Sequence, residues 1–174
     1  LQIAGMGMVL RRFGMRAAGI LNCDIDELMA PPGGGTIFDE LAKTPRGLLV
    51  TKGAWVETEK LKTDFGDHRD FGFRLADPEQ QVCHEKKWVL DPRHNWVQNL
   101  KVHPYMHWIN GRPAGSKTMS EDAFFWHFKG INTNWKHDRL GSRSPKPFML
   151  KRPVELQQMF ETYLEKKARG PGKS

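Results

Sequence analysis

The stretch LNCDIDELMAPPGGG, Leu21–Gly35, joins an apolar run to two aspartates one residue apart, then a glutamate, then a Pro/Gly loop. With the preceding Ala17–Ile20, its start is small and apolar and carries no charge before Asp24. That pattern, bounded by a breaker loop, predicts a short buried strand with Asp24, Asp26 and Glu27 at its C-terminal end. Residues i and i+2 of a strand share a side, so the expectation is two carboxylates converging while Ile25 faces away. Paired hard oxygen donors suit Mg²⁺ or Mn²⁺, which complete their shells with water and phosphate oxygens. A bare D-x-D is also what an ordinary strand end with an Asx-type turn looks like, so the surrounding sequence has to decide.

Working outward, Ile3, Met6, Leu10 and Phe13 recur at helical spacing before Gly14, and Thr36 is placed to cap a short helix IFDELAKT that Pro45 closes. RGLLVTKGAWVET reads as a central strand, and residues 64–77 as an irregular loop with aromatic anchors. KKWVLDPRHNW and NLKVHPYMHWI read as two extended segments joined by a turn, with Pro92 and Pro104 arguing for edges. Ser120 opens a short turn or helix leading into a strand. Pro153 starts a closing helix whose Leu156, Met159, Phe160, Tyr163 and Leu164 form one packed stripe. The order of elements predicts an α/β fold in one domain, residues 1–168, followed by a flexible tail, 169–174.

With 174 residues, 39% of them hydrophobic, the chain can bury a sizeable core. No run approaches the roughly 20 apolar residues that cross a bilayer. Cys23 and Cys83, far apart in sequence, point to a reducing, cytoplasmic setting, with attachment to a membrane surface left open. The net charge of +7 rewards nucleic acid, anionic lipid and phosphorylated small molecules alike. No P-loop, nucleophile elbow or dinucleotide fingerprint appears in its proper context, which removes most weight from ATPases and serine hydrolases.

GILNCDIDELM and the later FWHFKGINTNWKHDR together resemble the second half of a GT-A-type glycosyltransferase domain, similar to glycosyltransferase families 2 and 92. The likeness spans roughly residues 5 to 140. It implies a GT-A-like mixed sheet flanked by helices. It also implies transfer of a sugar from a nucleotide-diphosphate donor to an acceptor hydroxyl of a glycan or other molecule, with Mn²⁺ or Mg²⁺ and inversion at the anomeric carbon. Asp24 would then lie near the nucleotide ribose and the metal, Asp26 would be the main metal ligand, and His127 the histidine that returns to the site. Glu27 is expected to cap or orient the loop. The portion that cradles the base in that family should precede the D-x-D by more than the 23 residues present, so the chain is expected to be a partial domain, incomplete and inactive alone.

Lys129, Lys136 and Arg139 are candidates to balance a leaving diphosphate, since fixed cations stabilise developing negative charge; a solvated basic loop explains each taken singly. Trp135, in a polar setting, is the better candidate to stack on a sugar or base, and Trp126 the better core residue. Asp122 is the candidate base for the acceptor hydroxyl, with Asp64 and Asp67 as rivals. Cys83, His84, His103 and His107 are zinc donor types without a zinc spacing. Two other readings stand beside sugar transfer. One is a haloacid-dehalogenase-like phosphatase, from which the absent threonine after the second aspartate departs. The other is a non-catalytic basic protein that binds nucleic acid or polysaccharide; the paired aspartates argue against a nucleic-acid partner.

Overall fold

The structure, a computed structural model, describes residues 2–31, 35–58, 67–76, 82–99, 101–128, 131, 149–150 and 152–169. It is mixed α/β. The chain divides into two compact units, Leu1–Gly53 with Cys83–Phe125, and Ala54–Val82 with Trp126–Ser174.

Helix α1 (Gln2–Phe13) opens the first unit with Arg11 and Arg12 in its last turn, where cations complement the helix dipole. Met6 and Leu10 pack on the core, while Phe13, expected on the same stripe, is exposed because the helix gives way there to a 3₁₀ turn, Gly14–Arg16. Strand β1 is only Ile20–Leu21, antiparallel to β5 (Val82–Leu90) through the pairs Ile20↔Leu90 and Leu21↔Val89. The Asn22 N–H still reaches the Trp88 carbonyl at 3.0 Å. Past that point the backbone leaves the sheet: the Glu27 N–H closes on the Asp24 carbonyl at 3.2 Å, Ile25 and Asp26 form a turn, and β2 begins at Glu27 (Glu27–Ala30). The expected strand therefore stops short, and the aspartates sit in a turn. The i, i+2 argument does not apply to them.

The Thr36 cap holds. It forms a reciprocal capping box with Asp39 at the start of α2 (Ile37–Ala42), a motif worth about 1 kcal/mol. Strand β3 (Leu48–Trp55) is central, as its sequence indicates, in a sheet of order β1-β5-β3-β8-β2 in which β8 is Thr118–His127. Both faces of β3 are covered: Leu48 and Val50 join Trp88, Leu90, Trp96 and Ile109 on one, and Leu49 joins Val89, Ala123, Ile37 and Leu41 on the other. A strand buried on both sides needs a near-continuous apolar run, and LLV supplies it. Gly53 has no room for a side chain, since a Cβ there would lie 2.5 Å from the Phe125 ring and 2.6 Å from Cys83 Cβ.

The two segments expected to pair as strands do not. The first continues past β5 into a short helix, α3 (Asn95–Asn99), whose Trp96 and Val97 are buried, and the second folds on itself as the ribbon β6 (His103–Pro104) and β7 (Ile109–Asn110). Segment 120–122, expected to open a turn or helix, is inside β8. The cap-like signal is real but local, for Ser120 Oγ accepts the Ala123 N–H at 2.8 Å within the strand.

In the second unit, the Val56 N–H bonds the His127 carbonyl at 2.9 Å, and Glu57 bridges Phe73. Asp67 caps a 3₁₀ turn, His68–Asp70, and β4 (Arg74–Leu75) pairs with β9 (Met149–Leu150). Phe71, fully buried, meets Phe128 edge-on at 5.7 Å and serves as the aromatic anchor expected in that loop. Helix α4 (Val154–Arg169) buries Leu156 and Phe160, yet Tyr163 is 58% and Leu164 42% exposed, so the packed stripe is narrower than its sequence suggests. Arg152 ties the start of this helix to the Phe71 carbonyl at 2.9 Å and lies over the Phe160 ring. Among the described residues no helix is long and apolar enough to cross a membrane.

Candidate metal centre

The acidic turn is organised from β5. Period-two alternation sends Lys86 and Trp88 to one side of that strand and Lys87 to the other. The Lys87 side chain is 1% exposed, and its Nζ lies 2.5 Å from Asp24 Oδ2 and 3.0 Å from Glu27 Oε2. An ammonium in that position needs anionic partners, because desolvation of an unpaired charge costs several kcal/mol. Burial alone would lower the Lys87 pKa; the Asp24 hydrogen bond and the charge of Glu27 outweigh it and hold the group above its ordinary value. Glu27 Oε2 also accepts the Asp24 N–H at 2.9 Å, so this glutamate orients the turn, the part its position suggested.

Cys23 donates from Sγ to the Glu27 carbonyl at 3.5 Å. Burial first, then the charge of Glu27, pushes its thiol up to about 12. Cys83 is raised as well, by burial and then by its hydrogen bond to Glu85. Both thiols are free, and such pKa values make them space-filling groups and poor nucleophiles.

Asp26, Glu27 and His127 are each buried, Asp26 and Glu27 side by side where the acidic turn of the first unit enters β2, and His127 in the second unit. His127 ends β8 and packs on the Trp55 ring, with centroids 4.4 Å apart. The Asp26 and Glu27 carboxylates are adjacent hard oxygen donors, the type of ligand that divalent cations take. Of the two aspartates expected to hold the metal, Asp24 is engaged by Lys87.

The remaining candidates divide. Lys129, Trp135, Lys136, Arg139 and Asp64 lie outside the described residues. Asp122 is exposed in mid-β8, of opposite parity to His127. Asp67 is held below the usual carboxylate range by its hydrogen bond to Arg69. Trp126 is a core residue. The zinc donor types are dispersed: His103 pairs with Asn110 in the ribbon, Cys83 bonds Glu85 at 2.9 Å, and His107 Nδ1 contacts the Lys86 carbonyl. Lys87 is the member that the sequence reading missed. Its signal was a lysine sharing a face with Cys83 and Val89 and leading directly into the buried run Trp88–Leu90.

Comparison with protein-family models finds no match to this chain, and comparison with curated proteins finds none either.

Proposed function

We propose that the protein takes part in metal-dependent transfer of a sugar from a nucleotide-diphosphate donor to an acceptor hydroxyl, in a GT-A-like domain. The observation that carries this reading is the pair of adjacent buried carboxylates, Asp26 and Glu27, held in the acidic turn beside Lys87. That turn is one of the two sequence segments on which the resemblance to family 2 and family 92 glycosyltransferases rests. In this reading Asp26 holds Mn²⁺ or Mg²⁺ with Glu27 beside it, and His127 is the further ligand that the resemblance implies. The cation would supply the positive charge that stabilises a departing diphosphate.

The chain's own residues prepare that role. Lys87 neutralises the Asp24 and Glu27 carboxylates from beneath, so that the turn keeps its shape without a bound cation. Glu27, bonded to the Asp24 N–H, fixes where the turn begins its return. The resemblance implies a ribose near Asp24, whose side chain is 43% exposed, and the reading gives Lys129, Lys136 and Arg139 the charge of the diphosphate to balance.

The test is calorimetric titration of Mn²⁺ with UDP or GDP into this chain and into one extended at its N-terminus. Nucleotide binding that needs the metal, and is lost in Asp26→Asn and in His127→Ala, supports the reading. Absence of binding in both chains returns the acidic turn to a structural role.

A further inference from the structure

The face of β5 turned away from Lys87 carries a second feature. A cleft of about 550 Å³ opens there, floored by Val50 and Trp88 and walled by Lys86, Trp108, Arg112 and Lys117. Clefts of this size hold small ligands. Lys86, Arg112 and Lys117 form no salt bridge among the described residues. The acid in the lining, Glu85, accepts a hydrogen bond from the Cys83 thiol. The cleft is therefore cationic.

Trp108 stands over it, 54% exposed, with its ring stacked on Tyr105 at 5.4 Å and 14°. It is not loosely held. The Trp88 indole N–H donates to the Tyr105 carbonyl at 2.7 Å, the Tyr105 N–H bonds the Trp108 carbonyl at 2.7 Å, and the Asn22 amide donates to the Met106 carbonyl. An indole kept in water on a pinned turn is a pre-organised stacking surface, and pre-organisation lowers the ordering cost of binding.

We infer that this cleft is a binding site for a sugar ring bearing a carboxylate or phosphate, stacked on Trp108 with its anionic group among Lys86, Arg112 and Lys117. Sugar rings present an apolar face to aromatic side chains, and the cations supply the charge complement. A single-stranded nucleic acid would ask for a groove that tracks its backbone and successive stacking platforms. Here one platform tops a bounded cleft. The inference does not rest on the acidic turn, which Lys87 meets from the other face of β5.

The experiment is calorimetric titration of the full chain with a hyaluronan tetrasaccharide, with glucose 6-phosphate, with uncharged cellotetraose and with a short single-stranded oligonucleotide. Saturable binding of a charged sugar is expected, indifferent to EDTA and weakened by salt. Trp108→Ala and Arg112→Ala should each weaken it about tenfold or more. Both side chains are exposed, and circular dichroism checks that the variants fold. Whichever charged sugar binds identifies the anionic group. Equal binding to Trp108→Ala, a preference for cellotetraose or for the oligonucleotide, or no saturable binding of either charged sugar would overturn the proposal.

Discussion

The Lys87 ammonium lies 2.5 Å from Asp24 Oδ2 with its own side chain 1% exposed, so a buried cation on a strand fixes the charge of an acidic turn that the strand itself does not contain. The partners differ in burial. Glu27 is as buried as Lys87, whereas 43% of the Asp24 side chain is exposed.

Removing the cation should therefore cost far more than removing the exposed partner. Lys87→Met leaves the buried Glu27 carboxylate uncompensated and is expected to destabilise the protein by about 3 kcal/mol or more. Asp24→Asn, at a half-exposed site, should cost about 1 kcal/mol or less. Urea unfolding of both variants measures the difference, and equal losses would refute the asymmetry.

Alkaline pH acts on the same cluster. The folded-state pKa of Lys87 is raised, so its contribution is complete below the unfolded value of 10.5 and is lost as pH climbs through the folded value. Cys23, at about 12 when folded against 9.0 unfolded, adds a loss with the same sign between those values, because the unfolded thiol ionises first. Thermal midpoints should fall continuously above about pH 9. Cys83, raised from the same 9.0, contributes over the same window, so Cys23→Ala should reduce the earlier part of the fall and Cys23→Ala with Cys83→Ala should remove it.

Both cysteines should resist labelling at neutral pH. Their thiols are held protonated by burial, so a disulfide reagent should react far more slowly with native protein than after denaturation. Rapid labelling of both thiols in the native state would contradict their placement.

Metal affinity should separate the three candidate ligands. Asp26→Asn and His127→Ala are each expected to weaken Mn²⁺ binding about tenfold or more, and His127→Ala, which also removes a buried ring packed on Trp55, should lower the urea midpoint as well. Glu27→Gln should lower both, since Glu27 also balances Lys87. Calorimetry and unfolding on the same samples distinguish a ligand from a structural counter-ion.

Gly47 tests the packing of the core edge. Its φ is +69°, and a Cβ would lie 2.7 Å from the His94 ring, so Gly47→Ala combines backbone strain with overlap. A loss of about 1–3 kcal/mol is expected.

What the sequence made legible was local. Thr36 three residues before Asp39, the apolar run of β3, and the aromatic anchor Phe71 each signal their structure within a few residues. The error at Asp24 came from extending a strand by composition alone, when Glu27 competes for the Asp24 N–H and bends the chain into a turn. β8 was misread because the Ser120 to Ala123 hydrogen bond imitates a helix start. Lys87 was invisible for another reason: its importance depends on partners 60 and more positions away, and no window of sequence contains them.

Adjacent positions of β5 thus carry opposite obligations, an ammonium that must meet carboxylates at Lys87 and an indole that must reach the Tyr105 carbonyl at Trp88. Slipping the strand by one residue would exchange them, delivering a charge among Leu48, Val50 and Ile109, where Trp88 now packs, and a ring to the acids. The Ile20↔Leu90 pairing has only two residues of β1 to set its alignment. The two neighbours act as a pair of locating pins, and proofread that alignment more stringently than so short a ladder of backbone hydrogen bonds could.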